Sequence, residues 1–202
     1  MNEQDILYYG IYSTPLQEKQ QIILQEIHKI LDELTTDPEH APAEHIRSRI
    51  KSSESIVEKL ERRGLDTGVE TGLAYLSDAI GLRIVTHFVG DVYSILEKIK
   101  KSNLWSVVNV KDYISNPKPN GYRSLHIILK IPFEVGNFTE IEAEIQLRTI
   151  AMDCWASLEH QLKYKKNIKE TQLIVEELKR CSDEMASTDL TMQTIRDLIQ
   201  SQ

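Results

Sequence analysis

At 202 residues the chain is long enough for one sizeable core and too short for two catalytic domains. Its 41% hydrophobic and 27% charged residues are those of an ordinary globular protein; no apolar run approaches the roughly 20 residues of a membrane span, and the polar start, Met1 to Asp5, is no signal peptide. Cys154 and Cys181 form neither a metal-like spacing nor a disulfide framework, so a cytoplasmic, reduced protein with no membrane partner is expected.

The formal charge of −7 is unevenly placed. Residues 1–45 hold two lysines against nine acidic residues, residues 46–165 hold 17 basic against 15 acidic, and residues 166–202 hold five against seven. A locally basic middle inside an acidic protein suits small polyphosphate ligands better than long nucleic acid.

Residues 13–35 carry Leu16, Ile23, Ile27, Ile30, Leu31 and Leu34 at helical spacing, with Ser13 and Thr14 before Pro15 as the start. Asp37-Pro38 and Ala41-Pro42 then break the chain. From His45 to Lys51 the sequence alternates, so Arg47, Arg49 and Lys51 share a strand face, where three like charges repel unless an anion sits among them. The helix that follows aligns Ser55, Lys59 and Arg62 on one stripe, which is either a solvated helix face or, taken with the strand, a cradle for a triphosphate. Gly64, Gly68 and Gly72 read as a loop, Leu73 to Leu76 as a short helical turn, and Ile80 to Phe88 as a buried strand with Asp78 at its mouth. Residues 90–101 read as a helix ending in lysines, and Leu104 to Tyr113 as a strand. Asn116 to Gly121 is a rigid turn-forming loop flanked by Lys111 and Lys118.

Two strands follow. The first places Tyr122, Ser124 and His126 on one side; the second, Ile141 to Thr149, alternates so that Ile141, Ala143, Ile145 and Leu147 face a core and Glu142, Glu144, Gln146 and Arg148 the opposite side. Ile150 to Lys163 reads as a helix with a buried stripe of Ala151, Cys154, Trp155, Leu158 and Leu162, and residues 170–200 as a helical region interrupted at Ser187-Thr188-Asp189. On pattern alone, the Glu and Gln face could be merely solvated.

The run Asn120 to His126, then Glu144 to Thr149, Ala151-Met152, Trp155 to His160 and Tyr164-Lys165, resembles the synthetase domain of the RelA/SpoT family, within it the stand-alone small alarmone synthetases of the RelP kind. The resemblance runs from about Glu44 to Lys165. It implies an α/β (α+β) fold, a mixed sheet of about five strands flanked by helices, nucleotidyltransferase-like, with helical extensions at both ends. Residues 1–43 would then be an N-terminal helical arm, 44–165 the synthetase domain and 166–202 a C-terminal helical extension, folding as a unit.

The activity implied is transfer of the β,γ-pyrophosphate of ATP to the ribose 3′-hydroxyl of GDP or GTP. By the same resemblance Arg49, Lys51, Ser55, Lys59 and Arg62 bind ATP and Arg83 stacks on adenine. Tyr122 stacks on guanine, and Lys111, Lys118 and His126 meet the acceptor's phosphates. Ser124, Gln146 and Arg148 belong to the same acceptor site, and Asp153 could accept the paired N–H groups of guanine. Asp78 and Glu144 would hold Mg²⁺, with Glu144 also placed to take the hydroxyl proton; a carboxylate that ligates a metal is a poorer base, and the division of roles stays open.

No His-Asp dipeptide occurs and no domain-length segment flanks the synthetase region, so neither a hydrolase half nor a ribosome-binding domain is expected, and terminal helices suit a homotetramer. The rival readings are a toxin that pyrophosphorylates tRNA 3′ ends and an inactive nucleotide or RNA sensor. The six histidines show no metal-ligand spacing, which removes a metal-hydrolase reading.

Overall fold

The structure, a computed structural model, describes residues 1–35, 41–164 and 172–201. The Asp37-Pro38 break and Lys165 of the family motif lie outside the described residues. Helix α1 (Glu3–Tyr9) leads through a 3₁₀ turn, Gly10–Tyr12, into α2 (Ser13–Leu34). Strand β1 (Ala43–Ile50), α3 (Ser53–Glu61), α4 (Val69–Tyr75), β2 (Ile80–Thr86) and α5 (Val89–Ile99) follow. Strands β3 (Ser106–Asp112), β4 (Leu125–Val135) and β5 (Phe138–Thr149) complete a five-stranded sheet, and α6 (Ile150–Tyr164) and α7 (Gln172–Gln200) close the chain.

The strand order is β1-β2-β5-β4-β3, with β2 and β5 parallel at the centre and every other pair antiparallel. Alternation decides which face is which. Ile80, Leu82 and Ile84 of β2 and Ile141, Ala143, Ile145 and Leu147 of β5 are buried with Leu16, Ile23 and Ile27 of α2 and Ile95 and Ile99 of α5. Each such aliphatic side chain contributes about 1.5–3 kcal/mol by leaving water, so the register is pinned from this face. The opposite face gains its order as a consequence. Arg47 pairs with Arg83, Arg83 with Gln146, Gln146 with His126 and His126 with Lys111. One polar row therefore crosses all five strands, about 19 Å at the usual strand spacing. The next row places Arg49 beside Gly81 and Gly81 beside Glu144.

Helix α1 lies within the arm expected to be helical, and Asn2 caps it by accepting from the Asp5 N–H at 2.7 Å. Three local expectations fail, each for a tertiary reason. Gly72 lies inside α4 rather than in a loop, because a Cβ there would stand 2.9 Å from Ile56 Cγ2 and only glycine allows the helices so close. In α6 the buried side chains are Met152 and Trp155, whereas Cys154, Leu158 and Leu162 are exposed: the helix meets β5 and α7 along a line rotated from the apolar stripe. Finally, α7 runs unbroken through Ser187-Thr188-Asp189. Thr188 and Thr191 return their hydroxyls to carbonyls four residues back, and Asp189 accepts from Thr149 Oγ1 at 2.6 Å.

Candidate active site

Asp78 precedes β2 and Glu144 lies mid-way along β5, and both line one cavity of about 230 Å³ with Arg47, Arg49, Arg83 and Gln146. A larger open groove of about 920 Å³ between α2 and β1 shares Ser48 and Arg49 with it, but its α2 wall is mainly glutamine and it offers no paired carboxylates.

Both oxygens of Asp78 are engaged. Lys51 Nζ donates to Oδ2 at 2.7 Å and Lys59 Nζ to Oδ1 at 2.9 Å. Burial, the largest influence, pushes the Asp78 carboxyl up, but the two ammonium groups together hold it below the usual range. Lys51 comes from the end of β1 and Lys59 from the second turn of α3, so two elements converge on one carboxylate. Ser55 sits in the first turn of α3, its hydroxyl accepting from Ser52 Oγ at 2.9 Å. Arg62 is the C-cap of the same helix, exposed and absent from the cavity wall.

Across the cavity the side chains close a ring. Arg148 Nη2 donates to Tyr122 Oη at 2.7 Å and to Gln146 Oε1 at 3.3 Å, and Gln146 Nε2 donates to Glu144 Oε2 at 2.8 Å. Tyr122 Oη meets His126 Nε2 at 2.8 Å, and His126 Nδ1 meets Glu144 Oε1 at 3.1 Å. A neutral imidazole carrying its proton on Nδ1 satisfies every member, with the phenol donating to Nε2. Burial raises Glu144, and Asp78 opposes its ionisation across the cavity; the bonds from His126 and Gln146 outweigh both and hold it below the usual range. Glu144 is therefore ionised near neutral pH.

Lys118 Nζ lies 4.8 Å from the ring centroids of both Tyr113 and Tyr122. Tyr113 also meets the His126 ring edge-on at 5.3 Å. Its place two positions after Lys111, beside the loop, is the sign of this that the sequence carries. Lys111 is exposed opposite His126 on the next strand. Ser124, expected beside Tyr122 and His126 on an open face, is fully buried. Its hydroxyl donates to the Leu147 carbonyl at 3.2 Å and accepts from Arg148 Nε at 3.4 Å, because β4 begins only at Leu125. Asp153, on the first turn of α6, accepts from Arg148 Nη1 at 3.0 Å and Arg83 Nη1 at 3.2 Å. It thus joins a cation beside β1 to one beside Tyr122, while Arg83 Nε remains buried without a partner.

The surrounding chain matches a known family over most of this region: residues 48–169 fit the region found in RelA / SpoT proteins. The chain belongs to the RelA/SpoT family. GTP pyrophosphokinase YwaC of Bacillus subtilis is 42% identical over 180 residues, spanning 89% of this chain and 82% of that protein. Among solved structures, this RelA/SpoT-family chain superimposes on small alarmone synthetase 2 of Bacillus subtilis with a TM-score of 0.78 and 38% identity, covering 90% of this chain and 94% of that one. Small alarmone synthetase 1 of Bacillus subtilis bound to its product pppGpp gives 0.80 at 29% identity, covering 92% and 94%. The mixed five-stranded sheet is thus the fold of those synthetases.

Proposed function

We propose that the protein transfers the β,γ-pyrophosphate of ATP to the 3′-hydroxyl of GDP or GTP, making ppGpp or pppGpp and releasing AMP. The observation that carries this is Asp78 and Glu144 on one cavity, with basic side chains of β1 and α3 on one flank and the Tyr113–Lys118–Tyr122–His126 group on the other. Relatives named GTP pyrophosphokinases, and a structural neighbour bound to pppGpp, support it.

ATP lies along Arg49, Lys51, Ser55 and Lys59, with Arg62 reaching its outer phosphates and Arg83 its base. The acceptor lies on the other side: its base on Tyr122 with Asp153 at the edge, its phosphates near Lys111, Lys118 and His126. The 3′-oxygen bonds to the β-phosphorus as the bridge from that phosphorus to the α-phosphate breaks, and the bridging oxygen leaves with AMP. Glu144, ionised and anchored by His126 and Gln146, accepts the 3′-hydroxyl proton. Lys51 and Lys59 turn from Asp78 to the phosphates and neutralise the charge that grows there.

Two hard carboxylates on one cavity suit Mg²⁺, which takes few protein ligands and fills its shell with phosphate and water oxygens. Asp78 and Glu144 would hold it, and it would supply charge neutralisation at the transferring group. Among the described residues no group of three or more His, Cys, Asp or Glu could hold a metal ion. No helix among the described residues is long and apolar enough to cross a membrane. The exposed free thiols of Cys154 and Cys181 suit a reducing compartment, and we place the enzyme in the cytoplasm. Exposed Leu7 and Ile11 near the start, and Leu190, Ile195, Leu198 and Ile199 on α7, favour assembly into a homotetramer.

Labelled ATP incubated separately with GDP, GTP and deacylated tRNA, with products separated by thin-layer chromatography, tests the assignment. Product with guanine nucleotide supports it; label on tRNA alone, or none anywhere, overturns it.

A further inference from the structure

The chemistry above makes no use of the first twelve residues, yet they grip the turn that carries the donor-side cations. Lys51 and Ser52 form the link from β1 to α3. The angle at that link decides whether Lys51, at its start, and Lys59, on the helix beyond it, can reach the same point. Lys51 is held through its backbone on both sides: its N–H donates to the Ala79 carbonyl at 2.9 Å, and its carbonyl accepts from Tyr9 Oη at 2.7 Å. Ser53, the first residue of α3, presents a helix N–H with no partner inside the helix. Asp5 takes it at 2.7 Å and accepts the Ser53 hydroxyl at 2.8 Å with the same oxygen. A carboxylate at this end also complements the helix dipole.

These are buried contacts. Tyr9 is 0% and Asp5 7% exposed, and the Ser53 N–H is the main reason the Asp5 carboxyl lies below its usual range. Helix α1 is itself fixed: Tyr8 Oη donates to the Thr67 carbonyl at 2.8 Å, and Tyr12 Oη, just beyond it, to Glu70 at 2.9 Å. No side chain of α1 lines the cavity of Asp78 and Glu144.

We propose that Asp5 and Tyr9 are positioning residues for the donor nucleotide, setting the β1–α3 turn so that Lys51 and Lys59 converge where the ATP phosphates bind. The proposal rests on the donor role given above to those lysines. It assigns α1 to one substrate only: the side-chain hydrogen bonds of Asp5 and Tyr9 run to Ser53 and Lys51, on the donor side.

The test is steady-state kinetics of the full chain with each substrate varied in turn, alongside thermal midpoints. Asp5→Ala is expected to raise KM for ATP about tenfold, the size of a lost hydrogen bond to a charged group, with KM for GDP changed by less than about twofold. Asp5→Asn, which keeps an oxygen for the Ser53 N–H, should recover most of that loss. Tyr9→Phe, which keeps the ring in the core, should raise KM for ATP about threefold. Both KM values rising together, a fall in kcat with KM for ATP unmoved, or Asn no better than Ala at position 5 would each overturn the proposal. Should the parental protein make no alarmone, the functional reading falls, and the dissociation constant of a fluorescent ATP analogue decides the positioning claim by the same ratios.

Discussion

On the β1–α3 side, two ammonium groups close on the single carboxylate of Asp78, and α1 fixes the turn beneath them. On the β3–β4 side, charge is spread through a hydrogen-bonded ring beside aromatic rings that meet edge to face, and α7 does the fastening. Ser182 Oγ donates to the Gly121 carbonyl at 2.5 Å, and Asp183 pairs with Arg123 at 3.0 Å, on either side of Tyr122. On the function proposed above, Lys51 and Lys59 exchange a carboxylate for phosphates, whereas the aromatic side takes a flat base and depends on where its rings stand. Two ligands of similar charge would thereby be met by two unlike surfaces, with Glu144 on the seam.

That contrast can be broken first at the seam. Glu144→Gln keeps the shape but removes the proposed proton acceptor, and should lower kcat about 10³-fold without moving the thermal midpoint much, read as pyrophosphate transfer from labelled ATP. Lys59→Met acts on one side only: kcat/KM for ATP should fall about 100-fold while binding of GDP is kept, as measured by calorimetry. Tyr122→Ala is the mirror experiment. It should raise KM for GDP about tenfold or more, the value of one stacked base, with Tyr122→Phe retaining most of the affinity and KM for ATP unmoved. Equal effects of Lys59→Met and Tyr122→Ala on both substrates would erase the distinction between the sides.

A gentler probe is pH. Asp78 and Glu144 have lowered folded-state values, so the stability they contribute is present above the ordinary carboxylate range and is lost as pH falls through their folded values. Asp189, on the buried side of α7, runs the other way. Burial raises it, so the folded state binds its proton more readily than the unfolded chain, and stability declines as pH rises from the ordinary value through the folded one. Asp189→Asn keeps an acceptor for the Thr149 hydroxyl and removes the buried charge, so it should raise the melting midpoint slightly at pH 7.5 and by less at pH 4. A lower midpoint at pH 7.5 would show that the charged form is needed there.

Much of the sheet, and the grouping of most candidate site residues on one face, could be read from residues in line. Strict alternation from Ile141 to Leu147 separates core from chemistry, and the turn-rich 116–121 loop marks Tyr122. What escaped depends on partners far along the chain. Gly72 carries the ordinary signature of a loop until Ile56 is beside it. Ser187-Thr188-Asp189 looks like a helix break until Thr149 accounts for the buried acid. Ser124 alternates correctly with Tyr122 and His126, yet its hydroxyl belongs to the carbonyl of Leu147, 23 residues along the chain. Helix α1 is too short for a period, and its tyrosines acquire meaning only against Lys51 and Thr67.

The circuit through Tyr122, His126, Glu144, Gln146 and Arg148 has no free end. Cutting it anywhere strands two neighbours at once, so a second cut costs less than the first. Paired substitutions around it should therefore fall short of the sum of their single effects. Lineages that rebuild this surface would have to exchange its members in sets, and a lone replacement would be the hardest step of that path.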